Sequence, residues 1–270
     1  MLDQHLLNFI QTKSIGLIKS PADMRSLGLF QYSETETNSC YKVGWVKYLA
    51  EEESKNSAES HQPDFSYYIN DIGFRGEYPS VDNKGILGFF GCSVAFGQGL
   101  PENETYARLI AQHFNKKYLN LGITGAGCHR TALTFSAATR LWNIETAVIM
   151  LPTYTRFHYV DKGNHLHSIL PSNKIGIPEI DLVRFDILKH FSDQFLLSQT
   201  IDAIQWIIDI AKLKNINLVL ASWDIEMIQI VKEAFDLDAI ALNSIDTARD
   251  GQHPGKLSHK AFAEKIISIL

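Results

Sequence analysis

From Ile86 to Leu270, short continuous apolar runs alternate with segments of helical period, and this alternation narrows the available folds more than any other feature of the chain. Residues 86–90, 118–121, 146–151, 217–221 and 239–242 read as strands. Residues 104–115, 130–142, 194–214 and 257–270 read as helices. The third of these helices is the clearest, with Leu197, Ile201, Ile204, Ile208 and Ala211 spaced to share one face. Strands that are apolar throughout, rather than on alternate residues, belong to a parallel sheet covered on both sides. The expected fold class is therefore α/β: a three-layer α/β/α sandwich around a parallel sheet of about five strands.

Residues 1–80 read differently. Patches at 6–10 and 45–52 have helical character, residues 33–39 and 51–62 are polar, and residues 65–69 have strand composition. We read 1–80 as an N-terminal extension packed on a main domain spanning 81–270. Residues 152–178 form a long irregular, polar segment inside that domain.

The 270 residues are 45% hydrophobic, enough for one substantial core. A net charge of −5 and the lack of a recurrent basic face argue against nucleic acid as a partner. Cys40, Cys92 and Cys128 form neither a disulfide framework nor a zinc pattern. The first residues lack the basic start and apolar core of a secretory signal, and no apolar run approaches membrane-spanning length. We expect a cytoplasmic protein with no membrane partner. Release by a non-classical route and assembly into a larger particle stay open, and the oligomeric state is not specified.

Three segments carry candidate chemistry. In Gly91-Cys-Ser-Val-Ala-Phe-Gly97, Ser93 sits in a turn between a strand and a helix start. That is the carboxyl edge of the sheet, where open α/β folds place their ligands. A serine hydroxyl needs a base, and free N–H groups at a helix start can stabilise an oxyanion. Taken alone, Ser93 reads as an ordinary turn or cap serine. Cys92 beside it is a rival nucleophile. In Asp250-Gly-Gln-His253, the carboxylate can fix the tautomer of the following imidazole. The pair falls between the last strand and the last helix, at the same sheet edge as Ser93. Asp224 is a second candidate orienter. The third segment, Asn120-Leu-Gly-Ile-Thr-Gly-Ala-Gly127, allows close backbone approach. It is a poor dinucleotide motif, because no acidic residue follows at the expected distance.

In order and spacing these blocks resemble the SGNH (GDSL-type) hydrolases over residues 66–270. Gly91–Gly97 matches the GDSxxxG block, with Cys92 in the aspartate place. Asn120–Gly125 matches the second block, and Asp250–His253 the final DxxH. Ile69-Asn-Asp-Ile-Gly-Phe-Arg75 resembles a lead-in strand that precedes the first block in many members. The resemblance implies an SGNH/flavodoxin-like fold and a Ser93–His253–Asp250 triad. It also implies an oxyanion hole from the N–H groups of Ser93 and Gly125. The family's third-block asparagine is missing from Ile149-Met-Leu-Pro-Thr-Tyr-Thr-Arg-Phe157, where Tyr154 or Thr153 is the candidate replacement donor.

The expected activity is hydrolysis of an acyl ester, acetyl and carbohydrate-borne by preference, with no cofactor and no metal. An O-acyltransferase using the same triad and a non-catalytic binding module are the alternatives. Arg156 and Trp223 are candidate substrate-binding residues. His165 and His167 lack companions to complete a metal set, and His259 reads as structural or exposed.

Overall fold

The computed structural model describes residues 20–21, 44–47, 65–160, 166–169 and 189–270. Its centre is a five-stranded, wholly parallel sheet built from β3 (Ile86–Gly91), β4 (Tyr118–Gly122), β5 (Ile144–Leu151), β8 (Asn217–Ser222) and β9 (Ile240–Ala241). Strand order across the sheet is β4-β3-β5-β8-β9. The chain steps first to one side of β3 and then back across it. With right-handed crossovers, that reversal puts the intervening helices on opposite faces. One layer pairs α2 (Tyr106–His113) with α6 (Lys256–Ile269). The other holds α3 (Cys128–Leu141) against α4 (Asp193–Lys214), with α5 (Ile225–Phe235) beside β8. The result is the three-layer α/β/α fold expected from the strand pattern.

Burial follows that architecture. β3 is buried along its whole length, and β5 is buried except at Glu145. Helix boundaries follow local chemistry. Thr105 caps α2, its hydroxyl accepting from the Arg108 N–H, and Ser192 caps α4 in the same way through Phe195. α4 ends at Asn215 and α5 at Asp236, both in the left-handed region.

Three features differ from the sequence expectation. Residues 45–47 are not helical but lie in β1 (Gly44–Lys47), paired antiparallel with β2 (Ser66–Ile69). Trp45 and Val46 suit a strand once a partner edge exists, and tertiary pairing outweighs a weak helical pattern. The segment 152–178 is not irregular throughout, because β6 (Phe157–Val160) and β7 (Leu166–Ile169) pair as an antiparallel hairpin. α5 was not anticipated from sequence. Its start is marked by Asp224, whose Oδ1 accepts from the Glu226 N–H at 3.0 Å.

The stretch 67–74 of the extension belongs to the main core. Tyr67, Ile69, Ile72 and Phe74 are buried in the same cluster as the sheet residues. An isolated bridge from Arg75 to Asn120 ties this segment to β4. Residues 6–10, 33–39, 51–62 and His165 lie outside the described residues. Among the described residues, no helix is long and apolar enough to cross a membrane.

Candidate active site

β3 ends at Gly91, and the four-residue helix α1 (Ser93–Phe96) begins at once. This turn is possible because two glycines accept backbone approaches that no side chain would allow. At Gly91, with φ of +139°, a Cβ would fall 2.3 Å from the Met150 carbonyl oxygen of β5. At Gly122 it would fall 2.2 Å from the Phe96 nitrogen. The ends of β3, β4 and β5 are thereby drawn tightly around Ser93.

Ser93 meets the other end of the chain. Its Oγ lies 2.9 Å from His253 Nε2, and His253 Nδ1 lies 2.5 Å from Asp250 Oδ2. With Asp250 ionised, Nδ1 carries the proton and donates to it, which leaves Nε2 to accept from the Ser93 hydroxyl. Asp250 and Ser93 are each only 6% exposed. Burial alone would raise the Asp250 carboxyl. The hydrogen bond and charge of His253, with the N–H groups of His253 and Gln252, more than offset this and hold it below its ordinary value. The three side chains are thus joined in a polarity suited to removing the Ser93 proton.

Two backbone N–H groups at this sheet edge are the candidate oxyanion donors. The Ser93 N–H is at the start of α1, where helical bonding leaves donors unused. Gly125 lies in the turn after β4 with φ of +74°. Neither N–H donates to a protein acceptor among the described residues.

The turn that carries Ser93 is anchored by Arg75, a residue to which sequence reasoning gave no role. Its guanidinium is 2% exposed and donates to the carbonyls of Phe96, Gly97 and Leu100 at 2.7–2.8 Å. It also lies over the rings of Tyr67 and Phe96. Tyr67 accepts from the Gly99 N–H, and Asn120 donates to Phe96 while accepting from Gly122. The one sequence signal for this scaffold was the lead-in motif ending at Arg75.

Other candidates are placed elsewhere. Tyr154 lines a pocket between α4 and α5, with Asp193, Leu197, Glu226 and Ile230. Burial and the nearby carboxylates of Asp193, Glu226 and Asp224 raise its phenol. Thr153 Oγ1 lies 3.3 Å from Thr155 Oγ1. Among the described residues, no hydrogen bond joins either hydroxyl to Ser93, Gly125 or His253. The Tyr154 carbonyl accepts from the Thr200 hydroxyl of α4 at 3.3 Å. Asp224 is occupied in capping α5, so Asp250 is the carboxylate that meets His253. Cys92 is fully buried, while the hydroxyl of Ser93 is the one presented to the imidazole.

Arg156 lies over Trp223, 5.6 Å from the ring centroid, and Trp223 at the end of β8 is 38% exposed. The Arg156 backbone packs against Gly127, two residues from Gly125, which places this pair beside the second glycine turn. His259 is buried, stacks on Tyr106 and accepts from its N–H at 3.1 Å. His167 falls in β7. Among the described residues, no group of three His, Cys, Asp or Glu side chains could hold a metal ion.

No family profile and no curated protein matches the chain. Among solved structures, the chain is similar to one from Desulfitobacterium hafniense DCB-2 assigned to the G-D-S-L family of lipolytic proteins. The identity is 14% over 70% of this chain and 100% of the other, with a TM-score of 0.43. It is also similar to a carbohydrate esterase family 2 enzyme with a carbohydrate-binding domain from Corynascus thermopiles. Here the identity is 17% over 76% of this chain and 74% of the other, with a TM-score of 0.47. An acetyl xylan esterase from Butyrivibrio proteoclasticus matches at 14% identity over 73% and 65% of the two chains, with a TM-score of 0.44.

Proposed function

We propose that the protein is a serine ester hydrolase of the SGNH type. The observation that carries this reading is the continuous relay from Ser93 Oγ through His253 to Asp250, assembled from segments 160 residues apart. The two uncommitted N–H groups of Ser93 and Gly125 support it.

In the proposed reaction His253 Nε2 takes the Ser93 proton as Oγ bonds to the ester carbonyl carbon. The carbonyl oxygen becomes an oxyanion facing the N–H groups of Ser93 and Gly125. Asp250 holds the imidazole in its tautomer and stabilises the imidazolium. The C–O bond to the alcohol then breaks, and the alkoxide leaves with the proton from Nε2. Water, deprotonated by the same nitrogen, attacks the acyl-enzyme, and the acid product departs as Ser93 recovers its proton. A third donor from Tyr154 or Thr153 would strengthen the oxyanion hole, since each donor typically contributes about 10²–10³ in rate.

For substrate class we favour a small acyl group, acetyl by preference, on a carbohydrate. A half-exposed Trp223 carrying a guanidinium on one face, at the carboxyl edge of the sheet, suits a polar ring better than an alkyl chain.

The test is the intact mass after incubation with a fluorophosphonate, with Ser93→Ala as control. One adduct, mapped to Ser93 and missing from the variant, is expected. A folded wild-type protein that gains no adduct would overturn the reading and leave a binding module on this scaffold. Turnover of acetylated sugars and short esters, with and without an added sugar acceptor, then separates hydrolysis from acyl transfer.

A further inference from the structure

The Asp250–His253 loop has little apolar material to hold it. Gly251 and Gln252 are exposed, and the bonds within the loop are short-range: Ala248 N–H to the His253 carbonyl, and Gly251 N–H to the Ala248 carbonyl. Its place against Ser93 therefore depends on polar anchors at its two ends. At the far end, Asp246 accepts from the Leu257 and Ser258 N–H groups and from the Ser258 hydroxyl, which fixes the loop to the start of α6. That fixes the loop to its own helix. It does not fix it to the nucleophile.

The link to the nucleophile side is Glu104. This residue ends the short 3-10 turn Glu102–Glu104, which follows α1 and precedes α2. Its Oε2 accepts from Arg249 Nη1 at 2.8 Å, and its Oε1 lies 3.1 Å from Lys256 Nζ. Arg249 immediately precedes Asp250, and Lys256 follows His253 by three residues. One carboxylate thus grips the loop on both sides of the acid–base pair. The Glu104 side chain is 13% exposed, whereas Lys256 is 63% exposed. A main-chain bond reinforces the first grip, the Arg249 N–H donating to the Gly99 carbonyl at 3.1 Å. Gly99 itself lies against Asp250, since a Cβ there would come within 3.0 Å of the carboxylate. Besides the Ser93–His253 contact, the segment that carries Ser93 and the loop that carries His253 are joined by two ion pairs through Glu104 and by the Arg249–Gly99 backbone bond.

We propose that Glu104 is a positioning residue that holds the Asp250–His253 loop in register with Ser93 by pairing with Arg249 and Lys256 together. This rests on the serine hydrolase reading above. Both cations are solvent-accessible and screened, so the pairing acts on geometry more than on stability. Misplacing a catalytic group by about 1 Å can cost about 10²-fold in rate.

The test uses the full chain with Glu104→Ala, Glu104→Gln and Lys256→Met. Three quantities are followed: the rate of fluorophosphonate labelling at Ser93, the far-downfield proton resonance of His253 Nδ1–H, and the urea midpoint. Glu104→Ala is expected to slow labelling by about 10- to 100-fold, to weaken the resonance, and to move the midpoint little. With an acetyl ester, kcat falls and KM holds. Glu104→Gln keeps one oxygen for Arg249 and recovers part of the rate. If Glu104→Ala does not fold, Lys256→Met releases the exposed half of the grip and is expected to slow labelling several-fold. Labelling at the wild-type rate with an unchanged resonance in the folded variant overturns the proposal and leaves the hydrolase reading standing. If the wild type does not label but the resonance is lost in Glu104→Ala, the hydrolase reading fails and the positioning role stands.

Discussion

His253 Nε2 stands 2.9 Å from Ser93 Oγ, with the remaining imidazole nitrogen committed to Asp250. Both Ser93 and Asp250 are buried: backbone approaches too closely to admit a side chain at Gly91 and Gly122, and a side chain at Gly99 would meet Ala248 and the Asp250 carboxylate.

Ser93→Ala and His253→Ala should each abolish fluorophosphonate adducts while leaving far-UV circular dichroism unchanged. Asp250→Asn should lower kcat by about 10⁴, because the wrong imidazole tautomer then faces Ser93. An Asp250→Asn enzyme within tenfold of wild type would show that the carboxylate does not orient the base.

Arg75→Lys should both destabilise the protein and slow Ser93. A single ammonium cannot reproduce the fork that reaches Phe96, Gly97 and Leu100. Leaving one or two of these buried carbonyls without a donor costs about 1–3 kcal/mol each. Urea unfolding checks the stability, and the labelling rate of the folded fraction checks the nucleophile. Unchanged values for both would remove Arg75 from the scaffold of the site.

His259 ties stability to pH. Burial, with the positive charge of Arg75 next in size, holds its imidazole down to about 3. Below its ordinary value of 6.5 the unfolded chain takes up a proton that the folded chain refuses. Its contribution is complete above 6.5 and is lost as pH falls towards 3. The expected slope in that window approaches one proton, about 1.4 kcal/mol per pH unit. Asp246 and Asp250, held below their ordinary 3.8, add acid sensitivity from about pH 3.8 downward, overlapping only the lower end of that window. His259→Gln, whose amide oxygen can still accept from Tyr106, should flatten the slope between pH 6 and 4 in urea midpoints. An equal slope in the variant would assign the proton to another group.

Trp223→Ala should raise KM for acetylated sugars several-fold while leaving short aryl acetates nearly unaffected, since the ring partners Arg156 and no hydrogen bond or ring contact among the described residues joins it to the triad. Removing a half-exposed indole forfeits about 1–2 kcal/mol of stacking and apolar contact. Equal losses on both substrates would point to a general role at the sheet edge, not to a sugar platform.

The sequence by itself determined the layer architecture and the sheet edge at which Ser93, Asp250 and His253 gather. Fully apolar strands alternating with helices require a covered parallel sheet, and residues that follow strands in such a sheet collect at one edge. That logic brought Ser93 and the Asp250–His253 pair together from opposite ends of the domain. Tertiary structure decided what each side chain does once it reaches the edge. Whether Asp224 or Asp250 meets His253 depends on which carboxylate is taken by a helix cap. Tyr154 lines a pocket between α4 and α5, a placement that no local pattern records. Arg75 and Glu104 carry no distinctive spacing relative to Ser93 or His253. Their partners are backbone carbonyls and side chains brought close only by folding, because hydrogen bonds and ion pairs depend on distance in space and not on order along the chain.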